Sequence, residues 1–373
     1  MIITHTFSDG PSEFNSSRWR SANPTRALIQ AGHKVHLIHI DQWMKDTDYC
    51  RRACADSDII ILQRVMVEEG RDRAKYWKEK GKTLVVDFDD AYQLIDNTNA
   101  AHKFWGNGTV EISAPYGVKF EKSLDRHPIE QFIEGVSRYC AGATMPGRVL
   151  ADEWKRHFPC WYLPNYVDTS TYLPALRRPK LNTGKIIIGY GGSLSHVNSF
   201  KLSGIEEALR RVFIQRKDVR LLISGDDRIY KQVPVPNDRK SHLSYVLWND
   251  WPNILRRYDI TIAPLAGTYD YSRSSIKCVE AAVMGIPIVA TGCIAYKDFM
   301  DNNIGHFVSQ GDDEQNKSAR SDEWESKILQ VIDNWEDEKE KMSHHTGYMM
   351  REWDVDNNVD KIVGVYENII SGK

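Results

Sequence analysis

Short aliphatic and β-branched runs recur along the chain, each followed by a longer stretch with helical spacing. Ile2-Ile3 opens the series, and Val35-His36-Leu37-Ile38-His39-Ile40 follows it. Ile59-Ile60-Ile61-Leu62 and Thr83-Leu84-Val85-Val86-Asp87 are continuously apolar, as strands buried on both faces of a parallel sheet are. Helical patterns fill the intervals: Pro24 to Gln30, ended by Gly32; about Glu68 to Lys80, stopped by Gly81; and Ile129 to Tyr139. The second half repeats this logic with strands at Lys185–Tyr190, Val219–Ser224, Ile260–Ala263 and Ile286–Ala290. Helices are expected near Ser199–Phe213 and at Ser274–Met284, the latter ended by Gly285. Strands alternating with helices predict an α/β fold of two doubly wound, Rossmann-like domains. Ligands in such sheets bind beyond the carboxyl ends of the strands, so the residues after each apolar run matter most.

The pattern weakens in three places. A polar loop spans Phe7 to Ser17, and residues 97–121, with Gly106, Gly108, Pro115 and Gly117, read as a mobile or functional loop. Tyr162 to Asp168 closes the first half, and Ser170–Thr183, with Pro174 and Pro179 and followed by Gly184, reads as a linker. The expected organisation is a first domain at 1–168, a linker at 169–184, a second domain at 185–350 and a final amphipathic segment at 351–373.

Composition narrows the class. A chain of 373 residues, 41% hydrophobic and 27% charged, can fill two packed cores and keep a soluble surface. No apolar run approaches the roughly 20 residues that span a bilayer. The start, Met1-Ile2-Ile3-Thr4-His5, lacks the basic and apolar regions of a secretory signal, so a cytoplasmic location is expected. A formal charge of −2 argues against a surface coated in basic residues for nucleic acid. Cys50 and Cys54 would share a helix face, but no Cys/His pair follows at zinc-ligand spacing, so reduced buried thiols are expected.

Two segments carry candidate chemistry. In Gly189-Tyr190-Gly191-Gly192-Ser193, glycines after a strand permit close backbone approach to a phosphate, although a plain strand-to-helix turn uses glycine too. In Ser272-Arg273-Ser274-Ser275-Ile276-Lys277-Cys278-Val279-Glu280, a helix starting near Ser274 would set Arg273 and Lys277 at its positive end. A diphosphate fits such a site through charge-assisted hydrogen bonds, and Glu280 could accept from ribose or sugar hydroxyls. The plainer reading is a solvated first turn with a Lys277–Glu280 pair. It leaves the apolar surroundings, Ile276, Val279, Ala281, Ala282 and Val283, without a reason.

This segment resembles the donor-binding signature of GT-B glycosyltransferases, particularly the retaining group called family 4 (glycosyl transferases group 1). Arg273-Ser274 stands for the first basic residue and serine of its K-S-x-x-K-x-x-E pattern, Lys277 for the lysine and Glu280 for the glutamate. A commoner form has a second glutamate eight residues upstream, where this chain has Ser272. Gly189–Ser193 looks like the family's phosphate loop, Leu163–Asp168 like its interdomain crossing, and Asp259–Leu265 like the strand before its donor helix. The resemblance implies a nucleoside diphosphate sugar, UDP- or GDP-linked, held by Gly191, Gly192, Ser193, Ser274 and Ser275. It also implies retention, no metal or other cofactor for the chemistry, two domains facing across a cleft, and a final helix crossing back to the first domain. Lys277, Arg273, Glu280 and His102, by analogy with a family histidine, are the expected catalytic set.

The first half is the acceptor side in such enzymes. Asp87, Asp89 and Asp90 end a strand in an acidic turn that could hold acceptor hydroxyls, cap a helix or bind a divalent ion; acceptor or structural roles rank first. Arg18 is either a phosphate or acidic-acceptor ligand or a surface arginine at a helix entry. Two other functions compete. One is a transferase acting on hydroxymethylated bases in DNA, with Arg64, Arg71, Arg73, Lys75 and Lys78 forming a basic cleft. The other is a nucleotide-sugar-binding protein without turnover, motivated by Ser272. The sugar, the base, the acceptor and the oligomeric state are not specified by the sequence.

Overall fold

A computed structural model describes all residues except 11–14, 65, 98, 100, 114–118, 181–183 and 373. Pro115 and Gly117 of the expected loop, and the end of the expected linker at 181–183, therefore lie outside the described residues. The chain divides into two units. The first comprises Met1–Val167, Ser272–Ser274 and Val355–Lys373, and the second comprises Asp168–Tyr271 and Ser275–Asp354.

The first unit holds strands β1 (Ile2–Phe7), β2 (Lys34–His39), β3 (Ile59–Gln63), β4 (Thr83–Asp87), a hairpin of β5 (Thr109–Ser113) and β6 (Lys119–Ser123), then β7 (Ala143–Met145) and β8 (Cys160–Tyr162). Its sheet runs β2-β1-β3-β4-β7-β8 with every pairing parallel. The second unit holds β9 (Ile186–Gly192), β10 (Val219–Gly225), β11 (Lys240–Leu243), β12 (Ile260–Ala263), β13 (Ile288–Gly292) and β14 (His306–Ser309). Its sheet runs β11-β10-β9-β12-β13-β14, again all parallel. The doubly wound α/β expectation holds in both units. In the second sheet the strand order reverses between β9 and β12, and ligands of such sheets bind beyond the carboxyl ends at that point.

Three local expectations change. The linker stretch begins with a helix, Thr169–Leu176, that contains Pro174. Burial of Tyr172 and Ala175 holds this helix against the proline's missing donor. The helix expected over Ser199–Phe213 is two helices, Val197–Ser203 and Ile205–Gln215, broken at Gly204, whose φ of 86° suits only a residue without a side chain. The final helix is Val359–Ser371, and the segment before it, up to Asp354, belongs to the second unit.

Each unit has its own core. Ile188, Tyr190, Leu209, Val212, Leu221, Ile260 and Trp324 anchor the second. In the first, Val359, Ile362, Tyr366 and Ile369 of the final helix pack with Ile3, Leu28, Ile61 and Val85. That helix is amphipathic because its apolar stripe is the missing wall of this core. The return of the chain is pinned where Val355 N–H donates to the Val167 carbonyl at 2.8 Å.

Candidate functional site

At the carboxyl end of β9 the chain runs Gly191-Gly192-Ser193 into a 3-10 turn at Leu194–His196. A side chain at Gly191 would collide with the Trp251 ring, and one at Gly192 with the Tyr190 ring. These glycines therefore admit aromatic rings against the backbone, a requirement that exists before any phosphate is considered.

The helix Ile276–Val283 begins two residues later than its sequence pattern suggested, with Ser275 at the N-cap position. Cys278, Val279, Ala281, Ala282 and Val283 are buried, so the helix is a core element. Lys277 is not splayed into solvent. Its Nζ donates to the Gly191 carbonyl at 2.5 Å and lies 4.8 Å from the centre of the Tyr190 ring. Glu280, only 6% exposed, accepts at Oε1 from Trp251 Nε1 at 2.8 Å and from Tyr172 Oη at 3.1 Å. Burial pushes its carboxyl up to about 7, against the opposing pull of Lys277 and the two hydrogen bonds. A solvated Lys277–Glu280 pair does not describe this geometry. An ammonium and a carboxylate sit together at the topological switch point, beside a helix N-terminus.

Tyr172 and Trp251 were not among the expected site residues. Tyr172 falls in the stretch read as a linker, and no sequence spacing ties Trp251 to Glu280. The other residues of the expected donor segment fall elsewhere: Ser272, Arg273 and Ser274 group with the first unit, where Ser272 and Arg273 are buried. A cavity of about 380 Å³ in the second unit, lined by Thr171, Arg178, Asn249, Asp250 and Asn253 among others, includes neither Lys277 nor Glu280.

In the first unit the acidic turn is already occupied. Arg20 grips Asp87 through Nε (2.9 Å to Oδ1) and Nη2 (2.7 Å to Oδ2), and Thr144 Oγ1 donates to the same carboxylate at 2.7 Å. Arg64 grips Asp89 in the same bidentate manner, with Nε and Nη2 each at 2.7 Å. Burial would raise the Asp89 carboxyl, but Arg64 overrides it and holds it below the usual range. Internal arginines thus hold both Asp87 and Asp89, the carboxylates expected on the acceptor side, in fixed orientations. Asp90 is half-buried, His102 heads the short helix His102–Trp105, and Arg18 is buried in a π-type turn, Arg18–Ala22. Arg18 is thus no surface residue.

The five possible contributors to a basic cleft for DNA all belong to the first unit. Arg64 is consumed by Asp89 and Asp9, Arg71 meets Glu134 at 3.5 Å and Arg73 pairs with Asp46, while Lys75 and Lys78 are exposed. Three of the five cations thus have an acidic partner within the same unit. No helix among the described residues is long and apolar enough to cross a membrane.

Residues 185–334, which contain the Lys277–Glu280 cluster, match the family model of glycosyl transferases group 1. This stretch of the chain is similar to a group 1 glycosyltransferase domain. No curated protein matches the sequence closely enough to count as a relative. Solved structures match over nearly the whole chain. HepE from Anabaena, in complex with UDP and glucose, shares 12% identity with a TM-score of 0.63, covering 98% of this chain and 99% of that one. Sucrose-phosphate synthase from Thermosynechococcus elongatus shares 9% with a TM-score of 0.64, covering 100% and 99%. The catalytic domain of starch synthase IV from Arabidopsis thaliana, bound to ADP and acarbose, shares 11% with a TM-score of 0.60, covering 99% and 99%. At these identities the likeness is one of fold, and the fold is GT-B. Within the matched residues, Lys277 and Glu280 lie on the second of the two helices between β12 and β13.

Proposed function

We propose that this glycosyltransferase takes a sugar from a nucleoside diphosphate sugar, UDP-linked before GDP-linked, and transfers it with retention to an acceptor hydroxyl. The observation that carries the reading is Lys277, held over Tyr190 with its ammonium on the Gly191 carbonyl, at the switch point of the second sheet. HepE, which shares the fold, was determined with UDP-glucose, and that favours uracil as the base.

In the transfer the bond between the anomeric carbon and the diphosphate oxygen breaks, and the diphosphate leaves with the electron pair. The need is for positive charge at the leaving oxygens. Lys277, the N-terminus of helix Ile276–Val283 and the amides near Gly192–Ser193 supply it in this proposal. Ser275, at the N-cap of that helix, offers its hydroxyl, and Glu280 takes the ribose or sugar hydroxyls. The acceptor proton leaves with the phosphate group as its sink, so no second carboxylate is required. Asp87 and Asp89 are held by arginines, which supports a chemistry without metal. Arg18 and Asp90 are assigned to the acceptor side, and His102 stays in the catalytic set.

Titration with UDP-glucose, UDP-N-acetylglucosamine and GDP-mannose, followed by detection of released nucleoside diphosphate, tests this reading. One of these donors should bind and turn over slowly with water as the acceptor, and Lys277→Ala should abolish the release. A folded wild-type protein that binds none of the three would sink it.

A further inference from the structure

The donor reading leaves a packing circuit unexplained. Glu280 Oε1 receives both the Trp251 indole N–H and the Tyr172 hydroxyl. Trp251 lies against the bare Cα of Gly191, and the carbonyl of that same Gly191 receives Lys277 Nζ. Lys277 and Glu280 are three residues apart on one helix, so the chain of contacts closes on itself. All five residues belong to the second unit.

Burying a carboxylate is costly unless hydrogen bonds and charge offset it. If stability were the only demand, donors spread over both oxygens, or an apolar residue, would serve better. Here two donors from separate helices, Thr169–Leu176 and Trp251–Leu255, converge on a single oxygen. That arrangement fixes the carboxylate plane and leaves the direction of Oε2 set by the protein. A phenylalanine would fill the Tyr172 ring site equally well; the polar tips of Tyr172 and Trp251 are what the carboxylate uses.

We propose that Tyr172 and Trp251 are positioning residues, which pin Oε1 of Glu280 so that Oε2 is presented to the ribose hydroxyls of the nucleotide. Gly191 is glycine because Trp251 must lie against it to reach Glu280. This inference rests on the donor reading and deepens it: discrimination for a ribonucleotide over its deoxy form depends on two residues that never touch the donor. Lys277 serves the diphosphate and is independent of that discrimination.

The test uses the full chain and its Tyr172→Phe, Trp251→Phe and Glu280→Gln variants, with UDP and its 2′- and 3′-deoxy forms as titrants. Wild type should bind UDP at least about tenfold tighter than one deoxy form, as expected for a hydrogen bond to a charged group. Tyr172→Phe and Trp251→Phe should each shrink that ratio several-fold, and Glu280→Gln should bring it near one. Binding of the deoxy form itself should change little. Should Trp251→Phe fail to fold, Tyr172→Phe removes a single oxygen atom and decides the matter alone. A ratio unchanged in folded Tyr172→Phe would overturn the inference while leaving the donor reading intact. Wild type that binds UDP without discriminating would overturn it as well, and wild type that binds no nucleotide would remove both.

Discussion

Arg64 meets Asp89 side-on, each of two guanidinium nitrogens 2.7 Å from a separate carboxylate oxygen, although Arg64 itself has a left-handed backbone with φ of 62°. A non-glycine residue in that region carries strain, so the pair and its contacts to Asp9 and Ser16 must outweigh it. Breaking one side of a buried pair leaves the other charge uncompensated. Asp89→Ala is therefore expected to cost about 3–5 kcal/mol of stability. The double variant Asp89→Ala/Arg64→Ala should cost less than the sum of the singles. Denaturant melts of the three variants check this, and strict additivity would refute it.

Lys277→Ala removes the ammonium without emptying the core, because the side chain is only partly buried. Loss of a charged hydrogen bond to a diphosphate is expected to weaken donor binding by about 1.5–3 kcal/mol, or roughly ten- to a hundredfold. Calorimetry on the folded variant measures it. Affinity within twofold of wild type would remove Lys277 from the donor site.

Donor affinity should rise with pH through neutrality. Glu280 is held up to about 7 by burial, so it is mostly protonated at pH 6 and mostly ionised at pH 8. With Oε1 taken by Trp251 and Tyr172, a proton resides on Oε2, and only the ionised form leaves that oxygen as a full acceptor. The same shift lowers stability as pH rises from about 4.5 to 7, because the native state binds the proton more tightly than the unfolded chain does. A sugar diphosphate diester, which does not titrate near neutrality, is the suitable probe. Glu280→Gln should flatten both profiles, and a wild-type affinity constant between pH 6 and 8 would contradict the assignment.

His5 predicts the opposite slope in the first unit. Burial, aided by Arg20, lowers its imidazole to about 3, and it shares a 3.1 Å hydrogen bond with the Tyr366 hydroxyl of the final helix. The unfolded chain takes up this proton near 6.5, the native state only near 3. Stability contributed by neutral His5 is complete above 6.5 and is lost as pH falls through that window. Unfolding at pH 5 should take up about one proton more in wild type than in His5→Gln. Equal uptake would show that His5 is already protonated in the native state.

Chelation should leave transfer intact. Asp87 and Asp89 are committed to Arg20 and Arg64, so the acidic turn offers few oxygens to a divalent ion, which needs about six. Activity lost in EDTA and restored by magnesium or manganese would reverse this expectation.

Much of the architecture was legible in the chain itself. Continuous apolar runs such as Ile59–Leu62, spaced by amphipathic stretches, admit little besides parallel strands with helices on both faces, because each run must be buried on two sides. The same local logic marks Lys277 and Glu280, since two charges in an otherwise apolar helix need a reason. Pro174 misled, because local chemistry disfavours a helix that the burial of Tyr172 imposes.

What surrounds those two charges was decided only in three dimensions. Asp87, Asp89 and Asp90 look alike in sequence, yet Arg20 and Arg64, 67 and 25 residues distant, hold two of them in structural ion pairs. Trp251 reaches Glu280 across 29 residues and Tyr172 across 108. Periodicity reports which face of an element is buried, and that is a property of neighbours in the chain. Which donor meets which acceptor is set by how separate elements converge at the end of a sheet, and no local pattern records that meeting.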